Sequence, residues 1–151
     1  MPIVIQLIAA LVGSLGFSIL FNIRGEKLIF AALGGLLSWA TYLGAALVDE
    51  NSYFCGFVAT VITTLYAEIM ARTFKSPVTV FLVSATIPLI PGASLYRAMS
   101  NLMSKDYGGF SREGIYTLLF AASMAAGITF TTVIFRMIWS LLHRGRSVHI
   151  R

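Results

Sequence analysis

Charge is what this chain most lacks. Only 11% of its 151 residues are charged, 6 of them acidic, against 58% hydrophobic residues. A soluble domain carries about a quarter charged residues, and mean hydropathy here is +0.85. That balance excludes a water-soluble globule and leaves no room for a separate soluble domain. The single cysteine, Cys55, excludes an internal disulfide and a thiolate metal cluster. His143 and His149 fall in a basic tail without metal-ligand spacing. No nucleophile motif, zinc-ligand set or glycine-rich phosphate loop is present. Neither an enzyme nor a bound cofactor or metal is expected, and transport, if any, is not driven by ATP bound to this chain. The apolar N-terminus has no basic n-region of a signal peptide and reads as a retained first span.

The few charges that remain are informative by position. The net charge is +5, but it lies in short loops and in a C-terminal cluster of Arg136, Arg144, Arg146 and Arg151. No basic face with base-contacting groups appears, so no nucleic-acid partner is expected. The pattern is that of a polytopic, all-α membrane bundle of about five helices in a lipid bilayer. Taking about 20 apolar residues per crossing, the predicted spans are 3–23, 28–48, 52–73, a broken 77–104, and 115–142, with a basic tail over 143–151, all in one integral membrane domain. Arg24 and Lys27 place the first loop inside, Asp49 and Glu50 place the second outside, and Arg72 and Lys75 place the third inside. Five crossings with the N-terminus outside and the C-terminus cytoplasmic satisfy these loops and the arginine-rich tail.

Proline is scarce too, which makes its placement telling. Two of the four prolines, Pro88 and Pro91, fall with Gly92 inside the fourth apolar segment. Proline removes a helical hydrogen bond and clashes with the preceding turn, so a break is expected there. In hydrocarbon the freed backbone groups survive only against protein or a water-filled cavity, and discontinuous helices of this kind are where many transporters bind solute. A helix restarting near Gly92 offers unpaired N–H groups and the positive end of its dipole to a carboxylate. The predicted substrate-binding residues are Pro91, Gly92, Ala93, Ser94, Leu95, Tyr96 and Arg97. A simple kink is the competing reading. Glu68 is the one acid well inside a span, and such groups are functional by default. Its alternative is a structural pair with Arg72, four residues on. Small residues recur at helical spacing, as in Ala9/Gly13, Ala31/Gly35, Ala40/Gly44 and Ser123/Gly127/Thr131, which suits internal packing or an oligomer face. Trp39, Tyr42, Tyr53, Phe54 and Trp139 read as interfacial aromatics. Asp49, Glu50, Asp106 and Glu113 read as solvated loop charges, and Asn22 as a cap or loop residue and not a ligand.

Phe21-Asn22, the run from Tyr66 to Arg72, Ser76 to Val80, Ile87 to Gly92 and Leu95-Tyr96 together resemble the threonine/serine exporter family, over nearly the whole chain. More narrowly, the chain is similar to the short membrane-only half of its split, two-component type. The resemblance implies export of small carboxylate-bearing metabolites, threonine or serine or a dicarboxylate such as succinate, across a bacterial inner membrane. It also implies a larger membrane subunit as partner, in a homo- or hetero-oligomer. Glu68 would then serve as a proton or ammonium site. A scaffold that only stabilises that partner, and a pore-like channel, remain as other readings.

Overall fold

A computed structural model describes residues 2–144. Residues 145–151 of the predicted basic tail lie outside the described residues. The chain is 86% helical, without strands among the described residues. The helices are α1 (Ile3–Leu20), α2 (Glu26–Ala46), α3 (Ser52–Thr73), α4 (Val78–Thr86), α5 (Gly92–Met103) and α6 (Tyr107–Arg144), with a 3-10 turn at Ile87–Leu89 between α4 and α5. Four helices are long and apolar enough to cross a membrane, and α4 with its turn and α5 form a fifth, bent pair. It is a multi-pass membrane protein. At 1.5 Å per residue, α1 to α3 are each about 30 Å long, the thickness of a bilayer core.

The helix ends follow from local chemistry. Asn51 caps α3 by accepting from the backbone N–H groups of Tyr53 and Phe54 at 3.0 and 3.4 Å. At the ends of α1, α3 and α5 the chain reverses through left-handed residues, Asn22, Lys75 and Lys105. Each time the next N–H donates back five residues, Ile23 to Ser18, Ser76 to Ala71 and Asp106 to Asn101, the Schellman arrangement. Asn22 is thus a C-terminal cap residue.

The helices approach through small side chains. Ser14, Ser18, Ser38, Thr60, Thr63, Thr64 and Ser84 are fully buried. The hydroxyls of Ser18, Thr63 and Thr64 donate to the carbonyl four residues back at 2.7 Å, so they are satisfied without a neighbouring helix. Gly35 of α2 lies against Ser14 of α1, Gly34 against Ala85 of α4, and Gly127 of α6 against Thr60 of α3. Aromatic clusters close both ends. At one, Phe74 meets Phe30 and Phe81. At the other, Trp39, Tyr42, Tyr53 and Tyr116 surround Ala59, Leu89, Phe120 and Met124. Tyr66 ties α3 to α2 by donating to the Phe30 carbonyl at 2.7 Å. Tyr66→Phe is expected to cost about 1 kcal/mol, read as a lower unfolding midpoint in detergent.

Chain direction places the bent pair. Gly56 faces Ser123, Thr60 faces Gly127, and Arg72 faces Trp139, each pair 67 residues apart. A constant difference means that α3 and α6 run parallel. The α4–α5 segment between them therefore makes the return pass. In that register the residue facing Ser52 is Leu119, so α6 extends beyond α3 by the stretch from Tyr107 to Leu118. It starts at Tyr107, ahead of the apolar run that begins at Ile115. Over that extension α5 lies antiparallel to it, with Arg97 on Glu113 and Asn101 beside Gly109.

Candidate functional site: a cavity at the broken helix

Pro88 enters the 3-10 turn, and the chain leaves the helix at Ile90 (φ −62°, ψ 124°) and Pro91 (φ −76°, ψ 55°). The Gly92 N–H donates to Ile90 O at 2.7 Å, and the Leu95 N–H to Pro91 O at 3.1 Å. Between them the amides of Ala93 and Ser94 have no backbone acceptor among the described residues. The two helical pieces meet at a bend of 57°. The prolines make the break. Gly92 does not adopt the left-handed region, and a Cβ built on it meets nothing within 4 Å. Its lack of a side chain serves open space beside the helix start and is not needed by the chain's own packing.

Gly92 is exposed and borders a cavity of about 200 Å³ lined by Trp39, Tyr42, residues 88–94, Tyr116 and Phe120. Trp39 stacks on Tyr42 at 5.2 Å, and Tyr42 meets the edge of Phe120 at 6.2 Å. Trp39 is held by its indole N–H, which donates to Gln6 of α1 at 3.2 Å. Of the predicted binding residues, Pro91, Gly92, Ala93 and Ser94 line this cavity. Leu95 and Tyr96 do not; they are 53% and 74% exposed, on the outer face of α5. Arg97 lines an adjoining mouth of about 310 Å³ with Ser94, Arg112, Glu113 and Tyr116. Its guanidinium donates to both Glu113 oxygens at 3.1 and 3.3 Å and to Ser94 Oγ at 2.9 Å. Glu113 is therefore an ion-pair partner on α6. Asp106 accepts from the Gly109 N–H at the start of that helix.

Glu68 and Arg72 sit at the opposite end of the α3–α6 seam. The Glu68 carboxylate is 2% exposed and accepts from Arg72 at 3.4 Å. The Arg72 guanidinium lies 4.7 Å from the centre of the Phe135 ring and 4.0 Å from that of Trp139. The ring stack explains why a cation can be kept there, since aromatic faces attract it electrostatically. Between this pair and the cavity runs a hydroxyl-bearing stretch of the seam, Thr60, Thr64 and Thr131. The Thr131 hydroxyl has no partner among the described residues.

Sequence reasoning missed Gln6, Tyr116, Phe120 and Arg112. Gln6, a lone amide in an otherwise apolar first helix, carried a usable signal. Phe120 carried none, because its place depends on how α6 registers against α3.

A sequence model described as threonine/serine exporter, ThrE, matches residues 6–134, most of the chain. The chain belongs to the threonine/serine exporter family. The match spans the cavity, its mouth, Glu68 and Arg72, and ends just before Phe135. Membership makes the protein an exporter-type transporter of small substrates. No solved structure matches it.

Proposed function

We propose that this exporter-family chain is a subunit of a secondary transporter for small carboxylate-bearing metabolites, threonine or serine type amino acids or a dicarboxylate such as succinate. One observation carries the reading. The free amides of Ala93 and Ser94, at the positive end of α5, border a cavity walled by aromatic rings and suit a carboxylate. The open side of Gly92 admits its approach.

The 151 residues form one membrane domain with five crossings, the fourth being the broken segment. The parallel run of α3 and α6 supports that count, and the loop charges support an external N-terminus and a cytoplasmic C-terminus in a bacterial inner membrane. Glu68 serves as the coupling site, with Arg72 as its counter-ion. A larger membrane subunit completes the pathway. Support comes from Leu95, Tyr96 and Met99, which present exposed apolar surface on α5, and from Gly44, an exposed glycine with nothing within 4 Å of a Cβ built on it.

The test is efflux of labelled threonine, serine and succinate from cells lacking their own exporters. The cells express this chain, the larger subunit, or both, with membrane insertion checked in each. Efflux that requires both chains and is abolished by Gly92→Leu, but not by Gly92→Ala, is the expected result. Unchanged efflux with Gly92→Leu would remove the solute from the break. Efflux with the larger subunit alone would leave this chain the role of a scaffold.

A further inference from the structure

The inner cavity and the charged mouth share two walls, Ser94 and Tyr116. On the mouth side of that boundary lies the Arg97–Glu113 ion pair, joined to the shared Ser94 Oγ through the same guanidinium. The pair spans two elements, α5 and α6. It is also partly exposed, with the Arg97 side chain at 55% and Glu113 at 18%, so it is weak enough to exchange. Arg112 lines the same mouth and has no ion pair among the described residues. The mouth therefore holds two guanidiniums and one carboxylate, one positive charge in excess.

We propose that this mouth is a second, outer station for the carboxylate of the solute, closed by Arg97–Glu113 as an electrostatic latch and served by Arg112. The inference rests on the carboxylate reading of the inner cavity. A carboxylate leaving the Ala93 and Ser94 amides meets Arg97 next, competes with Glu113 for it, and releases Glu113 to the adjacent Arg112. The exchange replaces one ion pair with two, Arg97 with the solute and Glu113 with Arg112, so opening leaves no charge in the mouth unpaired. A solute without a carboxylate has nothing to offer Arg97 and leaves the latch shut.

The test uses the full chain in membranes with its larger subunit, Cys55 replaced by serine, and a reporter thiol from Leu89→Cys in the cavity wall. The rate of labelling by a membrane-impermeant thiol reagent reports opening. Glu113→Gln is expected to raise that rate about fivefold, the scale of an exposed ion pair, and Arg97→Gln to do the same. The exchanged pair Arg97→Glu with Glu113→Arg should return it to the original value. With the native pair, added threonine, serine or succinate should raise the rate, ethanolamine should not, and Arg112→Gln should blunt the response. An unchanged rate in both Glu113→Gln and Arg97→Gln overturns the latch. Carboxylate efflux with no carboxylate effect on labelling overturns the station while the transport reading stands. Carboxylate-dependent labelling without efflux supports the station and overturns the transport reading.

Discussion

Gly127→Val is expected to destabilise the protein by about 3 kcal/mol, at the upper end of overpacking substitutions. A Cβ at this position runs into Thr60 Oγ1 and comes within 2.8 Å of the Phe57 carbonyl oxygen. The carbonyl is backbone and cannot turn aside. Thr60 is no freer, because its hydroxyl already donates to Gly56 O and Phe57 O at 2.9 Å each. The two helices would have to separate along the seam that sets the relative height of α3 and α6. Cavity and mouth are built at one end of that seam, so transport should fall with stability. Unfolding by SDS in mixed micelles measures the loss, and a wild-type midpoint for Gly127→Val would contradict this packing. Gly13→Ala and Gly44→Ala are the contrast. Nothing lies within 4 Å of either position, and alanine favours helix over glycine by about 1 kcal/mol. Both should match or exceed the parent in stability, and a loss of efflux with Gly44→Ala would reveal a partner helix on that face.

Arg72→Leu is expected to cost about 3 kcal/mol. Removing one member of a buried ion pair leaves the other uncompensated, and here the one left is Glu68, almost wholly enclosed. The leucine also forfeits the contacts with the faces of Phe135 and Trp139. Arg72→Lys keeps the charge but loses the planar stack, so an intermediate loss is expected. The double replacement Glu68→Leu with Arg72→Leu should recover most of the stability, since apolar residues of similar size replace buried pairs at little cost. Efflux separates the two roles of the pair. If Glu68 carries the coupling proton, Glu68→Gln should fold, yet its efflux should lose dependence on external pH. A Glu68→Gln protein with normal efflux across pH would reduce the pair to a structural tie.

Much of the architecture is readable in the residues because a membrane imposes so few choices. Apolar runs of about 20 residues must be helices when no water can satisfy their backbone, and the scarce prolines must break the one they interrupt. The break at Pro88 to Gly92 was legible for that reason. So was the i,i+4 relation of Glu68 and Arg72, which a single helix determines. The site was less legible. The stretch from Pro91 to Arg97 was predicted as one binding segment, but a helix turns its residues in different directions. Ser94 faces the cavity, Leu95 and Tyr96 face outward, and Arg97 is engaged by Glu113 from a helix that starts ten residues later. The small-residue stripes divide in the same way. Ala31/Gly35 and Ser123/Gly127/Thr131 lie in helix contacts, whereas Gly44 is exposed and Gly13 borders a cavity with Trp39 and Pro88.

By itself, then, the sequence determined an all-helical membrane protein with a broken helix, its family, and one acid buried beside an arginine. These depend on composition and on neighbours within a turn or two of helix. The tertiary structure alone decided that α3 and α6 run parallel, that Trp39, Tyr42, Tyr116 and Phe120 wall the space beside the break, and that Arg97 meets Glu113. Those facts depend on the height at which one helix passes another. Contacts between small side chains set that height, Thr60 on Gly127 and Ser14 on Gly35, and hydropathy is nearly blind to them because any apolar residue would satisfy the lipid equally well.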